Sequence, residues 1–468
     1  MSSLTLEADY LVVGSGAAGI AFTDSLIAET DAQVVMLDRR ATPGGHWNDA
    51  YSFVRLHQPS LYYGVNSMPL GGDSIEPSGP ETGMYERASG AEIRAYYDRV
   101  LQRHLIPSGL VRFFPQCDYV GEHRFVSRLS GRTFQVKIRR KLVDATYLSP
   151  GIPANTPPPF EVEAGASCVP VNQLAHLTEM PERFVVIGAG KTALDACVWL
   201  LANGVEPSAI RWIKPRETWL LNRAYAQPGE LVGKIFEGLA LQMEAAARAT
   251  SVDDLFDRLE ASEQLLRVDR SVRPTMYKAA TIADWELELL RRIEGVVRLG
   301  RVRRIERERI VLERGTIPTS PRHLHVHCAA DGLPRPRPLP IFGPDRITLQ
   351  PVRTGLIPFN AALVAFVEAH RDSDAEKNRL CPPNPFPDTA LDWARTTLIQ
   401  MRADRAWSAE ADISEWLEQS RLNPTRGLRS RFGDPLVQQA GQRFAEVVRP
   451  GLARLAQLVK EAGDVRTP

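Results

Sequence analysis

Two glycine turns, each set between an apolar strand and the start of a small-residue helix, constrain this chain more than any other feature. The first follows Tyr10-Leu-Val-Val and reads Gly14-Ser15-Gly16-Ala17-Ala18-Gly19. The second follows Phe184-Val-Val-Ile and reads Gly188-Ala189-Gly190-Lys191-Thr192-Ala193. A second apolar strand comes after each, Gln33 to Leu37 and Ala209 to Ile213. In such a βαβ unit the first glycine makes a tight turn and the second lets backbone approach a pyrophosphate. The last, glycine or alanine, lets helix pack closely on strand. The helix N-terminus then offers unpaired N–H groups to the phosphates. Gly190-Lys191-Thr192 also invites a P-loop reading, but that motif needs a glycine five positions ahead of Gly190, and Val185 stands there. The expected fold class is therefore α/β, with two Rossmann-like dinucleotide-binding domains.

The 468 residues leave room for two or three domains, and 57 basic against 56 acidic side chains give a net charge of +1. Nothing global draws such a chain to nucleic acid or to an anionic membrane, so small-molecule partners are expected. The five cysteines, Cys117, Cys168, Cys197, Cys328 and Cys381, form neither a C-x-x-C pair nor a zinc-ligand cluster. Reduced thiols in a cytoplasmic protein without a metal are the simplest reading. The N-terminus, with Ser2, Ser3, Glu7 and Asp9, carries no export signal, and no apolar run approaches the roughly 20 residues that span a bilayer. Oligomeric state is left open.

Ser149-Pro-Gly-Ile-Pro and Thr156-Pro-Pro-Pro cannot continue a helix or a central strand, so a crossing between domains belongs there. The expected plan is a first domain over 1–155 and a second over 156–320 with a helical insertion at about 229–295. A return to the first domain over 321–375 and a helical C-terminal segment over 376–468 complete it. Helices are expected at Tyr85 to Leu105, Thr192 to Ala202, Thr281 to Ile293 and Asn360 to His370, a small antiparallel sheet within Val111 to Val143, and a strand at Leu324 to Ala330.

At the first turn, Asp38 ends the second strand with Arg39 beside it, where a carboxylate can accept from a ribose hydroxyl. Pro43-Gly44-Gly45-His46-Trp47 follows, and this run resembles the G-G-x-W turn of the flavin-containing monooxygenase and Baeyer–Villiger monooxygenase superfamily. The order of the two turns is similar to that superfamily's nested plan over roughly residues 8 to 370. The resemblance implies FAD at the first turn, with Gly14, Gly16, Ala17, Ala18, Gly19, Asp38, Arg39, Gly45, His46 and Trp47 around it, and a nicotinamide dinucleotide at the second. It implies that Val326-His-Cys-Ala-Ala-Asp331-Gly-Leu333 closes on the FAD. Gly188, Gly190, Lys191 and Thr192 would meet the second cofactor. Lys214 and Arg216, after the second strand, could pair with a 2′-phosphate, which places NADPH ahead of NADH, although a solvated basic turn is the competing reading.

The chain departs from the superfamily where Phe-x-Gly-x-x-x-His is expected: Cys168-Val-Pro-Val-Asn-Gln-Leu-Ala-His176 stands there, so membership of a named monooxygenase class does not follow. Close after the G-G-x-W turn, Arg55-Leu-His57-Gln58 offers the candidate catalytic groups, Gln58 with an amide donor and acceptor and His57 as a proton carrier or a structural histidine. Tyr62 and Tyr63 line the pocket or fill the core. The reading is a monooxygenase that uses NADPH and molecular oxygen to insert one oxygen atom into a small amine, sulfide or ketone through a flavin hydroperoxide. A non-oxygenating reductase or oxidase, and a non-catalytic redox sensor, stand as alternatives.

Overall fold

Strand Leu4–Val13 is buried over its second half, and its neighbours explain why. In a computed structural model describing residues 4–464, it pairs in parallel with Val34–Leu37 on one side and Thr133–Asp144 on the other. Val34–Leu37 pairs in parallel with Val111–Phe114, and the short strand Arg346–Thr348 pairs in parallel with the end of Thr133–Asp144. Parallel strands need covered faces, which is why Val34–Leu37 is buried throughout and reads as a continuous apolar run. The first half of Thr133–Asp144 stays paired with Leu4–Ala8 and on its other edge takes the antiparallel strand Arg124–Ser127, which pairs with Cys117–Gly121 and completes seven strands. Helices Ala17–Glu29 and Ile357–His370 pack on one another over the sheet, the second buried almost from end to end.

A second parallel sheet runs Val296–Val297, Ile210–Ile213, Arg183–Ile187, His323–His327 and Cys168–Pro170. This corrects the sequence reading, in which the strand near Leu324 returns to the first domain. His323–His327 pairs with Arg183–Ile187 instead, and the chain re-enters the first sheet only at Arg346–Thr348. The insertion also differs from expectation. Helices Val232–Arg248 and Val252–Ala261 are present, but Met276–Ile282 is a strand in a three-stranded sheet with Thr218–Asn222 and Leu265–Leu266, and the following helix starts only at Asp284. Likewise the helix expected from Tyr85 starts at Gly90, where Ser89 and Glu92 form a capping box.

The C-terminal segment is helical: Asp374–Leu380, Ala390–Ser408, Ala411–Gln419 and Pro435–Asp464, the last lying along Val232–Arg248. Among the described residues no helix is long and apolar enough to cross a membrane. Ser2, Ser3 and the last four positions of the expected C-terminal segment lie outside the described residues.

Gly19 sets the closeness of helix to strand in the first fold, since a Cβ there would stand 2.0 Å from the Gly14 carbonyl oxygen, a backbone atom. Gly19→Ala is therefore expected to lower stability by about 1–3 kcal/mol, measured by thermal melting, while Gly433→Ala, whose Cβ would meet nothing within 4 Å, leaves the melting temperature unchanged.

Candidate functional site

The carboxyl ends of the first sheet's parallel strands lie level, with Val13 opposite both Leu37 and Asp144, and Thr348 opposite Asp144. Open α/β sheets bind ligands at that edge. Here it carries a cleft of about 770 Å³, lined by Gly14, Gly16, Ala17, Ala18, Asp38, Arg39, Gly45, His46, Trp47, His57 and Gln58 from the sequence-derived set. Gly19 stands behind it as the packing glycine.

Two glycine turns form the cleft's floor. Gly14 has φ +103° and Gly45 φ +58°, and a Cβ on Gly45 would stand 3.0 Å from Gly16 Cα, so the two backbones meet where side chains would not fit. Helix Ala17–Glu29 begins beyond Gly16 with no side-chain cap, leaving its first N–H groups free for an anion. The Asp38 carboxylate accepts from Ser15 N at 2.7 Å, Ser15 Oγ at 3.0 Å and Arg40 N at 2.8 Å, which fixes it against the turn. Trp47 Nε1 donates to Tyr63 Oη at 2.9 Å, and both rings are at once core and cleft wall. At the far end, helix Ile357–His370 starts without a side-chain cap beside Gly355, and its Asn360 lines the cleft. The glycine floor and the two uncapped helix starts fit a long, phosphate-bearing cofactor.

Two further residues of the cleft, Thr146 and Asn360, carry no sequence motif. Their signal is positional, since Thr146 follows a parallel strand and Asn360 lies in the first turn of the helix that begins after the return strand Arg346–Thr348.

His57 lines the cleft while its backbone carbonyl accepts from Thr281 Oγ1 at 2.7 Å and Arg223 Nε at 3.3 Å, both from beyond the second glycine turn. Burial, with Lys191 nearby, pulls its imidazole down to about 4. Of the two sequence readings of His57, proton carrier near neutral pH or structural histidine, an imidazole held that low is neutral at pH 7 and favours the second. His46 is likewise held down at about 4, by burial and then by Arg40.

The second glycine turn is built as the first. Gly188 has φ +144°, and a Cβ there would stand 2.8 Å from the Cys328 carbonyl oxygen, while one on Gly190 would meet nothing within 4 Å. Helix Lys191–Ala202, with Thr192 in its first turn, has no side-chain cap. Its face meets the segment that follows the G-G-x-W turn: Tyr51 Oη donates to Asp195 Oδ2 at 2.6 Å, and Phe53 stacks on Trp199 with ring centroids 4.6 Å apart.

The basic residues assigned to a 2′-phosphate lie otherwise than expected. Lys214 is 1% exposed, paired with Glu217 and set over the Trp212 ring, so it cannot reach an external phosphate without leaving a buried partner. Arg216 remains partly exposed and pairs with Asp388 at 2.8 Å, a carboxylate that Arg335 and Lys278 also approach. Asp331 is a further correction: it is exposed, sits outside the cleft and lies 3.5 Å from Lys278 Nζ, while its neighbours Gly332 and Leu333 reach the cleft.

Sequence reasoning missed the buried charge network between the two folds. Lys191 pairs with Asp195 and with Glu286, at 3.3 Å for the latter; Arg223 pairs with Glu286 and with Glu81, at 2.7 Å for the latter; and Glu81 also takes Arg87 at 2.7 Å and Trp285 Nε1 at 2.9 Å. Glu81, Arg223 and Glu286 come from segments far apart in the chain and no local pattern marks them, whereas Lys191 is legible as the residue after Gly190 and has Asp195 one helical turn on.

The fold and site define a protein of two dinucleotide-binding folds nested in one chain and linked by this network. A family model described as an NAD(P)-binding Rossmann-like domain matches residues 12–74. The chain belongs to one family with uncharacterized proteins of Mycobacterium tuberculosis and Mycobacterium bovis, to which it is 49% identical over 420 residues, covering 90% of this chain and 78% of theirs. Similar solved structures include a flavin-containing monooxygenase from Stenotrophomonas maltophilia (16% identity, 75% of this chain and 88% of that one, TM-score 0.41). A closed cyclohexanone monooxygenase (13%, 96% and 98%, 0.48) and a bacillithiol disulfide reductase from Staphylococcus aureus (9%, 78% and 99%, 0.46) are also similar.

Burial alone would raise the Glu286 carboxyl, but Lys191, Arg223 and Arg87 outweigh it and hold it at about 2. A carboxyl depressed in the folded state stabilises above its ordinary value near 4.5 and loses that contribution as pH falls towards 2. Glu286→Gln leaves Arg223 and Lys191 short of charge and is expected to cost about 3–5 kcal/mol at neutral pH. In melting curves taken from pH 5 to 2, the variant should lose less further stability than the natural protein.

Proposed function

We propose that this chain is an FAD-dependent, NADPH-using monooxygenase that inserts one oxygen atom into a small organic amine, sulfide or ketone. The observation that carries the reading is the cleft at the carboxyl edge of the first sheet: glycine floor at one end, uncapped helix start at the other, His57 and Gln58 beside the second fold. Bound there, the flavin would accept a hydride from the nicotinamide and pass electrons to oxygen.

The chain's own residues bind and orient. Gly16 and Gly45 would admit the pyrophosphate and Asp38 the adenosine ribose, while the first turn of Ile357–His370 offers N–H groups to a ring edge that gains negative charge. Gln58 and the neutral His57 would give hydrogen-bond donors and acceptors without adding a charge. Tyr63 and Trp47 wall the site in apolar surface that keeps water out. At the second fold Gly190 would receive the nicotinamide cofactor's pyrophosphate, and Arg216, with Lys278 and Arg335 beside it, would take the 2′-phosphate in place of Lys214. Five free cysteines suit the reducing cytoplasm.

The purified protein is expected to be yellow and to bleach with NADPH. On aeration, stopped-flow spectra should show a transient distinct from both reduced and oxidised flavin. A direct return to the oxidised spectrum would assign a non-oxygenating reductase or oxidase, and a colourless protein that takes up no flavin would point to a sensor and overturn the proposal. Gly190→Ala should melt like the natural protein yet raise the KM for NADPH about tenfold or more, as expected for a lost charge-assisted contact. Arg216→Ala should raise the KM for NADPH but not for NADH.

A further inference from the structure

We infer that Arg421, in the C-terminal segment, is a positioning residue that holds the wall of the first cleft in shape. The inference rests on the reading of that cleft as the flavin site. Arg421 is 8% exposed, and among the described residues its guanidinium donates only to backbone carbonyls: Nη1 to Tyr63 O at 2.9 Å and Val65 O at 3.0 Å, and Nη2 to Leu61 O at 2.9 Å. Taking a guanidinium out of water is costly unless its donors are met, and three carbonyls of one short loop meet them here. A planar fork with fixed donors sets the relative positions of the three carbonyls, which a lysine ammonium on a flexible stem cannot do.

The braced loop is the one that carries the cleft's aromatic wall. Tyr63 lines the cleft, and its hydroxyl accepts from Trp47 Nε1 at 2.9 Å. Trp47 in turn closes the run Gly45-His46-Trp47, which lines the cleft from the floor upward. The loop is held by a second segment as well, since Val65 N donates to Tyr96 Oη at 2.8 Å, while Ser420 Oγ, next to Arg421, donates to Asn66 Oδ1 at 2.9 Å.

The same short C-terminal stretch reaches the opposite wall. Asn423 Oδ1 accepts from Arg353 Nη1 at 3.0 Å, and the Arg353 guanidinium sits 4.8 Å from the ring centres of both Phe359 and Trp407. Arg353 N in turn donates at 2.7 Å to the side chain of Asn360, which lines the cleft. Residues 420–423 thus tie the Tyr63 wall to the Asn360 wall, with Arg421 gripping the first and Asn423 the second.

The test compares Arg421→Ala, Arg421→Lys and Tyr63→Phe with the natural full-length protein, reading FAD affinity by reconstitution, visible circular dichroism of bound FAD, and hydrogen exchange of the peptide containing Leu61 to Asn66. Arg421→Ala is expected to weaken FAD binding about tenfold or more, as for loss of hydrogen bonds to a charged group. It should also speed exchange in that peptide while leaving the second sheet's strands protected. Added guanidinium should recover part of the affinity, and Arg421→Lys should behave like the alanine variant. Tyr63→Phe should change the flavin's circular dichroism in the same sense, and the double variant should bind FAD no worse than Arg421→Ala alone. Unchanged affinity and exchange in a folded Arg421→Ala protein, or additive losses in the double variant, would overturn the inference. If the alanine variant does not fold, unchanged exchange in Arg421→Lys overturns it equally. A natural protein that takes up no FAD defeats the flavin reading instead, and exchange at Leu61 to Asn66 still decides whether Arg421 braces the loop.

Discussion

Everything at the first site depends on backbone meeting backbone where no side chain could stand. Gly19 brings the helix onto the Gly14 carbonyl, and Gly16 and Gly45 bring two turns together across the floor of the cleft. These approaches leave the first N–H groups of helix Ala17–Glu29 facing open space rather than a capping side chain. The second fold repeats the device at Gly188, pressed on the Cys328 carbonyl, with Gly190 left open. Stability and binding are separable here because different glycines carry them.

The two folds are held together by charge as well as by packing. Glu286 and Glu81 each take two basic partners, and Lys191, the first residue of the second fold's helix, is one of them. Such buried pairs are poor sources of net stability but penalise any arrangement that separates them. The backbone of His57, on the cleft wall, is fixed by Arg223 and Thr281 from across the boundary, so the geometry of the first cleft depends on how the second fold is seated.

What the sequence made legible was local. Both βαβ turns, their helices and the G-G-x-W turn could be read from adjacent residues, because their spacing is dictated by one tight bend and one helix start. The return strand Arg346–Thr348 could not, being three residues long and stabilised by a partner about two hundred positions earlier. Lys214 was misjudged for a related reason: its place after a strand is local, but its burial over Trp212 is not. The neighbouring Glu217 was visible, and its pairing at i, i+3 is what takes the lysine out of reach. Glu81, Arg223 and Glu286 carry no pattern because they meet only through the tertiary fold.

The nesting of the chain also orders its synthesis. Strand Thr133–Asp144 leaves the ribosome with one edge of its second half uncovered, and the strand that covers it, with the helix that seals the sheet's face, is made only after the whole of the second sheet. The second sheet has a wait of its own, since Arg183–Ile187 meets His323–His327 only about 140 positions later, but it is complete before Arg346–Thr348 is made. The earliest-made cleft is therefore the last to be finished, and an exposed strand edge must be tolerated or shielded while the middle of the protein is being built.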